Sequence, residues 1–245
     1  MTMMRARSLV SVVVAASLAA GGLAGCRSQP AVAVYIGQSG HITERHVQQI
    51  WDETSELVTS AAAGQAARMP IARVDIVGLL LTNELYDRVA AKQKVTLPAT
   101  MPYAEVAQQI GLPESAELTR VYTQNLVLRQ NLLQSTAGTA TAEPSDEDLR
   151  GVYQQFADNQ AINLDFAGFK NSLQAADKKE LQGAFTLRDD VETLVDELDV
   201  KISPRYEDVV LGISSYTDQA SGRSFPIVSV PFGDPDAKPL VVDVA

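Results

Sequence analysis

Residues 71–91, IARVDIVGLLLTNELYDRVAA, decide the fold. Val74, Val77, Leu81, Leu85 and Val89 recur at helical spacing and make one stripe, which Ile76, Leu79 and Leu80 widen. A helix apolar over so much of its circumference belongs at the centre of a domain. The sequence therefore predicts a mainly α-helical body built around this segment. Asp75, Asn83, Glu84 and Asp87 break the apolar run, which argues against a lipid-spanning helix.

Working outward, Val47, Ile50, Trp51, Thr54, Leu57 and Val58 mark a preceding helix that Thr43 is suited to cap and that fades near Gly64. Before it, Val32, Val34 and Ile36 alternate with Ala33 and Tyr35, the period of a strand, and Gly37 to Gly40 make a turn. Downstream, residues 92–99 read as a loop. Pro102 then starts a short helix bearing Tyr103, Val106 and Ile110, stopped by Gly111. Leu118, Val121, Tyr122, Asn125, Leu128 and Leu132 mark the next helix. The Thr-, Ala- and Gly-rich run from Ser135 to Pro144 reads as a mobile connection. Ser145 with Asp146, Glu147 and Asp148 opens a helix whose stripe is Leu149, Val152, Tyr153 and Phe156. Leu164, Phe166, Phe169 and Leu173 lead into a long helix carrying Leu181, Phe185, Val191, Leu194 and Leu198. The charged run from Asp177 to Glu180 reads as its wet face. Residues 200–202 look like a short strand. After Tyr206 the character changes. Residues 209–213 and 224–230 are short extended candidates, and Pro226, Pro231, Pro235 and Pro239 forbid a long helix. An irregular extended tail is expected over 207–245.

The N-terminus carries a separate signal. Arg5 and Arg7 precede a short apolar run from Leu9 to Leu23, which ends in Leu23-Ala24-Gly25-Cys26. This resembles a bacterial lipoprotein signal. The resemblance implies a signal peptide over 1–25, a diacylglyceryl group on Cys26 and a tether over 26–31. It further implies anchoring of the chain to the lipid bilayer on the extracytoplasmic face of the cell membrane. An ordinary secretory signal with a chance cysteine is the alternative reading.

Composition narrows the partners. The formal net charge is −10, and it becomes −12 without residues 1–25, which hold two arginines and no acid. Such a surface repels phosphate backbones and anionic headgroups, so neither nucleic acid nor a charge-bound membrane surface is expected. With one cysteine no intrachain disulfide is possible, and stability rests on packing.

Motifs for catalysis are weak. His41 and His46 are the two histidines, five apart near one helix start, which does not match a helical metal pair. The acidic groups at Glu143 to Asp148, Asp189 and Asp190, and Glu197 and Asp199 read as solvated helix faces rather than paired catalytic carboxylates. No calcium loop, phosphate-cradling glycine loop with lysine, or Gly-x-Ser-x-Gly context occurs. Neither a cofactor nor a nucleotide is expected.

One arrangement links the two ends. Val32-Ala33-Val34-Tyr35-Ile36-Gly37, then His41-Ile42-Thr43-Glu44, several helices, and Asp199-Val200-Lys201-Ile202-Ser203-Pro204-Arg205-Tyr206 follow one another in the order seen in a known family. Together with the helix start Ser145-Asp146-Glu147-Asp148-Leu149 and Tyr153, this resembles the N-terminal peptide-binding core of SurA-type and PrsA-type secreted chaperones. The likeness spans residues 32–206. It implies a multi-helix core closed by a short β pairing between the N-terminal and C-terminal strands. The turn Gln38-Ser39-Gly40-His41 departs from the family's usual hairpin. The space between Tyr153 and Phe185 is too short for the family's parvulin-type isomerase module, so that module is expected to be absent.

The resemblance implies a non-catalytic chaperone for unfolded or nascent secreted polypeptides. Trp51, Tyr103, Tyr122, Tyr153, Phe156, Phe166 and Phe169 are the candidate peptide-binding side chains, although in a chain with few aromatics each is also a natural core residue. Met69 and Met101 are adaptable fillers. The alternatives are a scaffold lipoprotein holding one specific cell-envelope partner, and a divergent peptidyl-prolyl isomerase.

Overall fold

A computed structural model describes residues 31–62, 69, 71–139, 143–206, 208–218 and 222–232. In chain order the elements are β1 (Val32–Ile36), β2 (Gly40–Thr43), α1 (Glu44–Ala61), α2 (Arg73–Gln93), α3 (Tyr103–Ile110), α4 (Glu117–Thr139), α5 (Asp146–Asp158), α6 (Phe166–Ser172), α7 (Ala175–Glu197), β3 (Lys201–Ile202), β4 (Val210–Thr217) and β5 (Ser224–Pro231). The fold is mainly α-helical with two small antiparallel sheets.

Helix α2 is the central element. Ile76, Val77, Leu81, Leu85, Tyr86 and Val89 are all buried, and α2 packs against α1, α4, α7, β1, β2 and β4. Local chemistry sets the helix ends. The Thr43 hydroxyl accepts the His46 N–H at 3.1 Å. Asp75 reaches back to accept the Ala72 N–H at 2.8 Å, which satisfies a donor that the first turn of α2 would otherwise leave open. Pro102 lies just before α3 as its cap rather than inside it, and Gly111 closes α3 in the left-handed region at φ 68°.

The first sheet has the order β2-β1-β3. Val34 stands opposite Ile42 on one side and Ile202 on the other, so β1 and β3, about 170 residues apart in the chain, share one ladder. The turn at Gly37 is in the left-handed region, and its N–H donates to the Leu198 carbonyl at 2.7 Å. A 3-10 turn at Pro204–Tyr206 locks this junction: Ser203 N–H donates to the Ala33 carbonyl at 2.8 Å, and the Tyr206 hydroxyl donates to Glu44 Oε2 at 2.7 Å.

Two sequence expectations are corrected by packing. The stretch beginning at Ser135 is not a connection up to Pro144, because α4 runs on to Thr139. Small residues permit this extension by letting α4 and α7 approach closely. A Cβ on Gly183 would meet Ala137 backbone and side-chain atoms at 2.9–3.0 Å, and the buried Thr136 hydroxyl donates to the Gly183 carbonyl at 2.9 Å. The segment after Tyr206 is not an irregular extended tail over its described part. Strands β4 and β5 form an antiparallel hairpin against α5, α7 and α2, and Leu211, Ile213, Val228 and Val230 join the main core. Its prolines are tolerated by position. Pro226 faces Ser215 beside a register slip, and Pro231 ends its strand.

The expected membrane localisation and the lipid-anchored lipoprotein character are also corrected. No helix among the described residues is long and apolar enough to cross a membrane. Cys26, residues 1–25 and most of the 26–31 tether lie outside the described residues. No membrane location is assigned to the chain.

Candidate functional site

The hairpin and the middle helices enclose an aromatic cluster. The hydrophobic stripe of α5 turns Tyr153 and Phe156 towards α6, where the Asp165 carboxylate caps the helix by accepting the Gly168 N–H at 2.7 Å. That cap fixes Phe166 and Phe169 on the facing surface. Tyr153 lies 5.8 Å from Phe166 and 5.9 Å from Phe169, and its hydroxyl donates to the Leu164 carbonyl at 3.1 Å. Phe156 lies 6.0 Å from Phe169, 4.8 Å from Tyr216 and 5.7 Å from Phe225, and Tyr216 and Phe225 are 5.6 Å apart. These tilted and edge-on contacts are the arrangements that aromatic quadrupoles favour. Arg150 covers the outer face of Phe166, 5.0 Å from the ring.

Beside this cluster is a cleft of about 320 Å³, with Phe156, Phe169, Leu173, Leu181, Tyr216 and Ile227 among its walls. Phe169 and Leu181 are buried in its floor, while Tyr216 is 36% exposed. Asp177 and Glu180 stand at the rim one helical turn apart, and Ser214 and Ser215 supply hydroxyls on the hairpin side. The cleft is thus apolar within and acidic at its mouth.

The predicted aromatic residues divide into two sets. Tyr153, Phe156, Phe166 and Phe169 come together in the cluster. Trp51 on α1, Tyr103 on α3 and Tyr122 on α4 are elsewhere: Arg73 lies over the Trp51 ring at 4.8 Å and Arg120 over that of Tyr103 at 5.8 Å. Tyr216, Phe225 and Ile227 were missed by sequence reasoning. Phe225 and Ile227 lie in the extended candidate 224–230, whereas Tyr216 falls outside the candidate 209–213, and the prolines weigh against a regular hairpin there.

The polar groups nearby serve structure. Lys170 pairs with Asp146, and this hydrogen bond holds the Asp146 carboxyl below the usual carboxylate range. Burial works against the charged form of Asp148, yet hydrogen bonds from Ser145 and Arg188 outweigh it and hold its carboxyl low as well. The histidines do not share a helix, since His41 is on strand β2 and His46 is in the first turn of α1. His46 Nε2 is 2.7 Å from Glu117 Oε1, which ties α1 to α4. Among the described residues, no group of three or more His, Cys, Asp or Glu side chains is arranged to hold a metal ion. Two other cavities are more polar. One of about 340 Å³ lies between α2, α4 and β4, with Asn125 and Arg129 in its wall, and one of about 470 Å³ lies beside Arg188.

No family model, curated protein or solved structure matches this chain.

Proposed function

We propose that this protein holds extended or partly folded polypeptide segments by non-covalent contact in the aromatic cleft, as a chaperone-like binder without a catalytic step. The observation that carries this reading is the open cleft walled by Phe156, Phe169 and Tyr216. Its volume is at the lower end of ligand-pocket sizes, enough for one or two apolar side chains rather than a folded surface. A site of that size gives weak, reversible binding, which suits a holder that must release its client. The succession of β1, the helices, β3 and Pro204-Arg205-Tyr206, with β1 and β3 paired, supports a likeness to SurA-type and PrsA-type peptide-binding cores.

The test is suppression of aggregation of a reduced, unfolded protein, together with anisotropy of a fluorescent apolar peptide. Tyr216→Ser is expected to weaken both; it also removes the ring contacts to Phe156 and Phe225 and so lowers the thermal midpoint, and both assays are therefore run well below the variant's midpoint. Equal activity of the parent and this variant would remove the cleft from the mechanism.

A further inference from the structure

We propose that the cleft selects segments in which an aromatic or branched apolar side chain is flanked by lysine or arginine. This rests on the peptide-holding function above and names the chemistry of its clients. Glu180 and Asp177 are three residues apart on α7, on the same helix face, and both are exposed at the mouth. Among the described residues the Glu180 side chain has no hydrogen bond or ion pair. Asp177 accepts the Gln174 N–H at 2.8 Å.

Four nearby cations have partners of their own. Lys178 faces Glu143 at 3.9 Å, Lys170 pairs with Asp146, Arg188 holds Asp148 and Asp189, and Arg150 lies over Phe166. Lys178 and Lys179, between the two rim acids in sequence, do not line the cleft. The mouth therefore presents negative charge above an apolar floor, within a chain whose net charge is −10. An incoming apolar side chain fills the floor, and a cation beside it meets the rim. A flanking aspartate or glutamate is repelled, as are anionic headgroups and phosphate backbones.

The experiment uses two fluorescent peptides with the same apolar core, one flanked by lysines and one by glutamates, titrated with the full chain. Exposed charge pairs of this kind are worth about 1.4- to fivefold each in affinity. The lysine peptide should therefore bind tighter by at least that factor in low salt. The preference should shrink in 1 M salt, where the screening length falls to about 3 Å. Glu180→Gln should reduce the preference, and Glu180→Lys should abolish or reverse it, with circular dichroism unchanged because the side chain is exposed and unpaired. Equal binding of both peptides to the parent overturns the charge selection and leaves apolar binding intact. A preference that survives Glu180→Lys overturns its assignment to this rim. Binding of neither peptide overturns both this proposal and the function it rests on.

Discussion

Replacing Gly183 with alanine tests the close contact of α4 and α7, and its sign is opposite to what helix chemistry alone dictates. In a helix interior, glycine to alanine gains about 1 kcal/mol, because alanine loses less backbone freedom on folding. At Gly183 the new Cβ would be 2.9 Å from both the Cβ and the backbone nitrogen of Ala137 and 3.0 Å from its Cα. Two of those three contacts are with backbone, so rotamer changes cannot relieve them and the helices must separate. Forcing an extra methyl into a packed interior costs about 1–3 kcal/mol. Separation also stretches the bond from Thr136 to the Gly183 carbonyl, a further loss of about 1 kcal/mol. The balance is a destabilisation of about 1–3 kcal/mol. For a domain of this size that lowers the thermal midpoint by about 2–4 °C per kcal/mol. Gly151→Ala in α5 is the internal control, since nothing lies within 4 Å of its added methyl. It should stabilise by about 0.5–1 kcal/mol. Urea unfolding of both variants measures the difference, and a Gly183→Ala protein as stable as the Gly151→Ala protein would refute the packing argument.

Two further outcomes follow from the same structure. Burial, reinforced by the Glu44 carboxylate, pushes Tyr206 up to about 12, and burial raises Tyr86 as well. The neutral phenols therefore favour the fold below the ordinary tyrosine value near 10, and that contribution disappears as pH rises from about 10 through 12. Tyr206→Phe should flatten the alkaline limb of a urea-stability profile, and an unchanged limb would contradict it. Ending the chain after Tyr206 removes Leu211, Ile213, Val228 and Val230 from the core. The truncated protein should lose its cooperative unfolding transition, whereas a free tail would leave the transition intact.

The helical framework was legible because its signals are local. The stripe of residues 71–91, the Thr43 and Ser145 caps and the stop at Gly111 each depend on residues within a turn or two, and each element formed within a few residues of its expected place. The errors share a cause. The run after Ser135 looks like linker because it carries no large apolar side chain to mark a buried face, yet the small size of Ala137 is what allows α7 to sit against it. The hairpin was hidden for the opposite reason: its prolines are strong local signals, but an edge strand with a register slip accommodates them. Four of the six rings in the aromatic cluster were found for the same local reason, since Tyr153, Phe156, Phe166 and Phe169 lie on adjacent helices, whereas their partners Tyr216 and Phe225 come from beyond Tyr206.

That dependence on the hairpin bears on function. Without β4 and β5, Phe156 and Phe169 would face open solvent on one side as a flat apolar patch, a surface prone to self-association. With them, Tyr216 and Ile227 supply the opposite wall, and the patch becomes a cleft with one acidic edge. The two strands that build this wall also bury Leu211, Ile213, Val228 and Val230 against the helices, so the wall cannot be withdrawn without loosening the core. On the proposed function, client capture would require no hinge opening of the hairpin. Side chains would enter through the mouth between Tyr216 and Glu180, and discrimination among clients would rest on what that mouth repels and admits.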